Sequence, residues 1–434
     1  MREIPQGDTL MKTRASTWRA VLTQPVIVYL LAGYFAVYAA LFLIPVFLNS
    51  DRVMQFPRYI PTYEPIGNDW QISKSNLESW YTTGKLIDPM EIPYPPLGYV
   101  LVYPLLFTDV RLSYAIVTVS SVLAFGLATV VVPLLVGGGM NSAFPVVTFC
   151  FVTGLTSYGV QFELERGQFN VVAISLCLLG VYLFHYQFKY RFLGYLLFSV
   201  AVQLKVYPFI FVVLFVENWS HWTRNLPRLS LLALSNIAFL FVLGLDRFME
   251  MARVLSHYSV GRGVWVGNHS IDSFAKGLAG SVVQQKAAWA GLLRDAWSVE
   301  VAVLAIVLTS SLVILLASML RKQAGVDGAL LLACTVLALV LPAVSHDYTL
   351  ALLTGPMAIY LGQVGIDADP KRQAVTNLLV FVLSLAYSST LFSYVYKPEW
   401  LGNNLPMLVI ILVVVAVMTR YSQRRNNNVL LVEA

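Results

Sequence analysis

VRLSYAIVTVSSVLAFGLATVVVPLLV, residues 110–136, decides what kind of protein this is. After Arg111 it carries no charge, and it is longer than the roughly 18–20 apolar residues that mark a membrane-spanning helix. Similar runs recur on both sides of it. The 434-residue chain is 58% hydrophobic and 12% charged, with mean hydropathy +0.70. Soluble domains carry about a quarter charged residues, so lipid is the solvent here. The fold class expected is an all-α polytopic integral membrane protein, one membrane domain over residues 1–434. The net charge of +6 fits orientation and anionic lipid better than nucleic acid, since the basic residues cluster at span ends without forming a stripe. Cys150, Cys177 and Cys334 all fall inside apolar runs and match neither a disulfide framework nor a zinc site, which leaves them as packing residues.

In chain order the pattern predicts twelve spans. The first six are Val26–Leu48, Val110–Val136, Ser142–Gln161, Asn170–His185, Arg191–Leu204 and Tyr207–Phe215. The others are Ser230–Leu245, Val299–Leu320, Val326–Val344, Tyr348–Leu361, Val375–Phe392 and Leu405–Thr419. Leu97–Phe107 is apolar but too short to cross about 30 Å of hydrocarbon, and reads as a juxtamembrane or re-entrant helix. Basic residues in short loops set the orientation. With a cytoplasmic N-terminus, Lys189/Arg191, Arg224/Arg228, Arg321/Lys322, Lys371/Arg372 and Arg420/Arg424/Arg425 are all cytoplasmic. Two long loops, 49–109 and 246–298, are then extracytoplasmic. At Lys205-Val206-Tyr207-Pro208 two short spans meet. Pro208 permits one long kinked helix or two short ones in a hairpin, and the hairpin suits the alternation of basic loops better. Broken backbone at that depth needs protein or a water-filled cavity around it.

This topology places every unusual polar cluster on the outer side. The first long loop contains Gly67–Pro96, GNDWQISKSNLESWYTTGKLIDPMEIPYPP, with Asp69 near its start and Tyr94-Pro95-Pro96 at its end. Then come Glu165-Arg166-Gly167-Gln168-Phe169-Asn170, Lys205, Gly267-Asn268-His269-Ser270 and Ser345-His346-Asp347-Tyr348. Each has a plain structural reading. Asp69 is well placed to cap a helix whose apolar positions are Trp70, Leu77, Trp80 and Tyr81, lying on the headgroups. Glu165 and Arg166 suit an ion pair at a span end, Lys205 suits snorkelling, and His346 and Asp347 suit a mutual pair. Ionisable groups at membrane depth are costly, however, and their collection on one face points to a shared functional site.

At these residues the chain resembles the GT-C glycosyltransferases that use polyprenyl-phosphate sugars, most closely family 87, the polyprenol-phosphate-mannose-dependent mannosyltransferases. The resemblance rests on Asp69 in Asn-Asp-Trp, Tyr94-Pro95-Pro96, Gly-Gln-x-Asn at Gly167–Asn170, Leu-Lys-x-Tyr-Pro at Leu204–Pro208, Asn268-x-Ser270 and His346-Asp347-Tyr348, in that order. It spans roughly residues 26–365 and departs from the family after Asp69, where Trp70-Gln71-Ile72-Ser73 replaces an Asp-φ-x-x-Tyr pattern.

The resemblance implies an inverting transfer of a hexose, mannose by analogy, from a polyprenyl-phosphate donor to a glycan or glycolipid acceptor. The setting it implies is the outer face of a bacterial inner membrane. Asp69 is then the general base, and Lys205, Arg166 and His346 contact the donor phosphate, with Asp347 orienting the His346 imidazole. Tyr94, Glu165, Gln168, Asn170, Asn268, Ser270, Asp347 and Tyr348 form the sugar and acceptor pocket or anchor its loops. No cofactor, metal or nucleic acid is expected; the partners are the lipid donor, the acceptor and membrane lipids. Two other readings stay open. One is an O-antigen ligase or polymerase, for which Arg253, His257 and Arg262 in the second long loop speak. The other is a lipid-linked-sugar flippase, against which the absence of an internal repeat speaks.

Overall fold

The computed structural model describes residues 66–84, 94–136, 140–155, 157–261, 267–285, 296–321, 325–364 and 403–432. Within these the regular secondary structure is helical, with one isolated backbone bridge between Asn268 and His346. The expected spans Val26–Leu48 and Val375–Phe392 lie outside the described residues.

The first helices are α1 (Asn68–Thr83), α2 (Pro96–Val102), α3 (Val110–Val136), α4 (Met140–Leu155), α5 (Tyr158–Arg166), α6 (Asn170–Tyr186) and α7 (Arg191–Leu204). They are followed by α8 (Trp222–Phe239), α9 (Leu245–Gly261), α10 (Ile271–Gln285), α11 (Ala296–Leu320), α12 (Gly328–Val340), α13 (Thr354–Val364) and α14 (Leu405–Val432). Three 3-10 stretches matter as well: Tyr103–Phe107, Tyr207–Leu214 and Asp347–Leu353.

Among the described residues α3 and α11 are long and apolar enough to cross a membrane, and the bent pair Gly159–Arg166 with Asn170–Tyr186 makes a third if counted as one span. Several expected spans are therefore shorter or broken. Ser142–Gln161 divides because the Ser157 hydroxyl donates back to the Gly154 carbonyl (2.5 Å) and accepts from the Val160 amide (3.3 Å), ending α4 and capping α5. Val326–Val344 stops at Val340, two residues before Pro342. Tyr348–Leu361 is half 3-10 and half α13, and Ser230–Leu245 gives way to α8, which starts earlier and holds Pro227 inside it. The second long loop carries two helices, α9 and α10.

The junction at Lys205 is a hairpin. Lys205 has extended backbone (φ −149, ψ 136), and the following 3-10 stretch runs back along α6. Its first residue bonds the start of α6, Tyr207 hydroxyl to Asn170 carbonyl at 2.9 Å. Its last carbonyl, Leu214, meets His185 Nε2 near the end of α6 at 2.7 Å. In lipid, helices associate through close packing and not through hydrophobic burial. The α6–α7 pair shows this: a Cβ on Gly180 would sit 2.7 Å from the Gly194 carbonyl oxygen, and one on Gly194 2.8 Å from that of Gly180. The main core fills the space between α6, α7, α12, α13 and α14 with Leu, Val, Ile and Phe, and includes Cys177 and Cys334. All three cysteines are buried and free.

Candidate functional site

The site begins at a corner. α5 ends at Gly167, and α6 sets off at 113° to α5. Glu163 fixes this turn from inside, fully buried: Oε2 accepts from Asn170 Nδ2 and Oε1 from the Val171 amide, both at 2.8 Å. A carboxylate at the first turn of a helix also complements its dipole. The corner thereby presents Arg166 and Gln168 toward α1, Gln168 buried and Arg166 nearly so.

α1 is brought against that edge by two glycines. Gly67 (φ 72) sits at the start of α1, donating its amide to the Glu165 carbonyl at 2.7 Å, and Gly167 (φ 69) closes α5. Both need the left-handed region that glycine adopts freely. Both also lack room for a side chain: a Cβ on Gly67 would meet the Tyr114 ring at 2.6 Å, and one on Gly167 would meet Trp70 Cβ at 2.8 Å. Trp70 and Leu77 anchor α1 in a cluster with Tyr99, Tyr114, Val117 and Phe169, and Trp70 Nε1 donates to Ser113 Oγ at 2.9 Å. The apolar face of α1 is docked into the protein at Trp70 and Leu77, while Tyr81 stays exposed.

Gly67, not Asp69, occupies the N-cap position, and α1 has no side-chain cap. The capping reading of Asp69 is overturned, because the residue lies inside the first turn. Its carboxylate turns to the corner: Oδ1 accepts from Arg166 Nη1 at 3.1 Å and Oδ2 from Gln168 Nε2 at 2.7 Å. Gln168 is the hub. Its Oε1 accepts from Lys205 Nζ at 2.8 Å and from the Tyr94 hydroxyl at 3.3 Å. A carboxylate only accepts and an ammonium only donates, so the amide is aligned by the charges at its two ends. Lys205 also lies over the Tyr94 ring, 4.5 Å from its centre. Burial, and then the Asp69 charge, push the Tyr94 phenol well above its usual value, so it enters the site as a proton-bearing donor.

Glu165 reaches Arg166 Nε at 3.3 Å, the ion pair expected of a span end, while Arg166 stacks over Phe162 at 4.9 Å. Phe162 meets Tyr348 at 5.8 Å and Tyr348 stacks on His346 at 4.9 Å. Tyr348 is also in electrostatic reach of Asp69, Tyr94 and Arg166. The stretches around 69, 94, 166, 205 and 346, far apart in sequence, therefore share one end of the bundle.

His346 and Asp347 do not pair. His346 has extended backbone (φ −71, ψ 157), which sends successive side chains to opposite sides. Asp347 Oδ1 instead takes His269 Nε2 at 2.8 Å, both groups buried. His269 Nδ1 accepts the Asn404 amide at 3.3 Å, so Nε2 carries the hydrogen toward Asp347. Asn268 staples the same segment: Oδ1 accepts from the Ser345 and Ser270 amides at 2.9 and 3.2 Å, and Nδ2 donates to the Ala343 carbonyl at 3.1 Å. The Ser270 hydroxyl accepts the Ser273 amide at 3.1 Å at the start of α10. The side chains of Asn268 and Ser270 are taken up by these loop contacts. Sequence reasoning names neither Glu163 nor His269 as a site residue; the signal for His269 is no more than its position within Gly267–Ser270.

The family model for glycosyltransferase family 87 matches residues 93–345. The matched region takes in Tyr94, the Glu163–Asn170 corner, Lys205 and Asn268, and stops short of Asp69 and His346 on either side. A search of curated proteins gave no match. With more than half its length matched, and with the corner and the Lys205 hairpin inside the match, the chain belongs to glycosyltransferase family 87.

Proposed function

We propose that this glycosyltransferase is an inverting enzyme of the GT-C fold, moving a hexose, mannose by analogy, from a polyprenyl-phosphate donor to a lipid- or glycan-linked acceptor. In this reading the chain crosses a bacterial inner membrane twelve times and works on the outer face. The observation that carries it is the Asp69–Gln168–Lys205 chain of hydrogen bonds, with Arg166 on the same carboxylate.

Transfer from a lipid phosphate makes two demands. A base must take the proton of the acceptor hydroxyl, and cations must receive the negative charge that grows on the departing phosphate. Asp69 suits the first task. Its side chain is 26% exposed, and two of the roughly four lone-pair positions of a carboxylate remain for an acceptor. Lys205 and Arg166 suit the second, lying on the two sides of the Gln168 amide. Attack by the acceptor oxygen on the anomeric carbon forms the new glycosidic bond as the bond to the phosphate oxygen breaks. The proton passes to Asp69 and the electron pair leaves with the polyprenyl phosphate. One carboxylate is sufficient, since no covalent intermediate forms.

His346 and Tyr348 wall the sugar side, with His346 bonding the donor phosphate or a sugar hydroxyl. Tyr94 lines the acceptor entrance. Asn170 and Glu165 hold the corner, and Asn268, Ser270 and Asp347 take the loop-anchoring role. The discriminating experiment is transfer in membranes with two donors. A polyprenyl monophosphate hexose should support turnover, and a diphosphate-linked preassembled glycan should not. Turnover with the second alone would replace this reading by a ligase- or polymerase-like one.

A further inference from the structure

The end of the bundle away from Asp69 holds a cavity of about 510 Å³. It is formed where α6 and the 3-10 stretch Tyr207–Leu214 finish and where α8 and α12 begin. Its polar wall includes His185, Glu217, His221, Arg224, Arg321 and Asp327, and the remainder is apolar, with Val136, Val213 and Leu330.

The charges there are not balanced. Glu217 holds Arg191 at 3.0 Å, approaches Arg224 only at 3.8 Å, and also lies in the field of Arg228. Across the cavity Arg321 meets Asp327 Oδ1 at 3.0 Å, an oxygen that also accepts the Ala329 and Leu330 amides. Two arginines of the lining, Arg224 and Arg321, and Arg191 beside it thus meet two carboxylates among the described residues. Arg224 and Arg321 keep side chains 55% and 43% exposed, against 19% for Arg191. Guanidinium forks of this kind match phosphate oxygens. The surroundings say where such a phosphate comes from. Trp222, Phe188 and Phe192 are all exposed at this end, Trp222 packs edge-on against Trp219 at 5.5 Å, and Lys189 stands between the two phenylalanines in the chain. Exposed aromatics beside basic residues mark the headgroup level of a bilayer.

We infer that this cavity is a second binding site, distinct from the transfer site, for the phosphate headgroup of an anionic membrane phospholipid, with Arg224 and Arg321 as its phosphate contacts. The headgroup enters between α8 and α12, and the apolar wall takes the first carbons of the lipid. A phosphate held by both arginines neutralises the surplus positive charge and ties the Glu217 and Asp327 loops together.

The test uses the full chain in nanodiscs of phosphatidylcholine with a minor share of phosphatidylglycerol, extracted and examined by native mass spectrometry. Wild-type protein should retain phosphatidylglycerol preferentially. Arg224→Gln should lower that occupancy about tenfold, the loss expected from one charge-assisted phosphate contact. Arg321→Gln should do the same independently from the other wall. Lys189→Gln, an exposed cation outside the cavity, should keep wild-type occupancy. Unchanged retention in both arginine variants, or an equal loss in Lys189→Gln, would overturn the site. Glycerol 3-phosphate in excess should leave the lipid bound; displacement by it would reassign the cavity to a soluble phosphate and overturn the lipid assignment.

Discussion

Two polar constellations stand at the same end of this bundle, and they differ in what they leave open. Around Asn268, His269, Ser345 and Asp347 the donors and acceptors meet one another: His269 is satisfied at both ring nitrogens, and Asn268 at both ends of its amide. Around Asp69, Gln168 and Lys205 the chain of bonds ends on a partly exposed carboxylate and on a lysine facing an aromatic ring. The first arrangement locks the late loop onto α10 and the start of α14. The second leaves charge at a place where a substrate can meet it. Buried polar groups that are fully satisfied specify a structure, whereas partly open ones in a cleft are candidates for chemistry.

The sharpest ways to break this contrast are substitutions on its two sides. Below the loss expected at Asp69 itself, Lys205→Met should cost the most, lowering turnover by about 10²–10³-fold if Nζ stabilises the leaving phosphate. Steady-state transfer rates check this, and a variant within a few-fold of wild type would remove Lys205 from that role. Gln168→Leu keeps the volume but disconnects Asp69 from Lys205. A lost bond to a charged group is worth about 1.5–3 kcal/mol; lost from the transition state as well, it should lower turnover roughly 10–100-fold, with a thermal shift smaller than that of the closed-side variant below.

On the closed side the expectation reverses. His269→Phe leaves Asp347 buried without its partner, at about 3–5 kcal/mol. The unfolding transition should drop by many degrees while the folded fraction keeps its turnover. Activity lost at unchanged stability would erase the distinction between the two constellations. The smallest effect on activity should come from reporter cysteines at exposed positions, Thr83→Cys on α1 and Ser220→Cys at the opposite end. If the site faces outward, an impermeant thiol reagent added to intact cells labels position 83 and spares 220.

Much of the open constellation is legible in the amino acids alone. Asp69, Tyr94, Arg166, Gln168 and Lys205 stand out because charged and amide side chains beside apolar runs are costly, and the fold brings all five together. The Lys205 hairpin is legible too, since Pro208 and the alternation of basic loops both favour it. What the sequence conceals is which neighbour each group takes. His346 and Asp347 are adjacent in the chain and suggest a pair, yet extended backbone sends them apart and delivers Asp347 to His269. Glu163 looks like any residue near a helix end, because its task exists only once α5 and α6 meet at their corner. Hydropathy overstates a span wherever it continues across a break in the hydrogen bonding, as at Ser157 and again after Val340. Apolar composition reports the solvent of a segment, not the continuity of its helix.

In the proposed reaction the Asp69 carboxylate takes the acceptor proton. Asp69→Asn keeps the size of the side chain and an acceptor oxygen for Arg166, and removes the base. In membranes, with folding and donor binding verified, hexose transfer by this variant should fall about 10²–10⁴-fold while donor affinity stays near that of the wild type. Near-native turnover would contradict the account and move the base elsewhere.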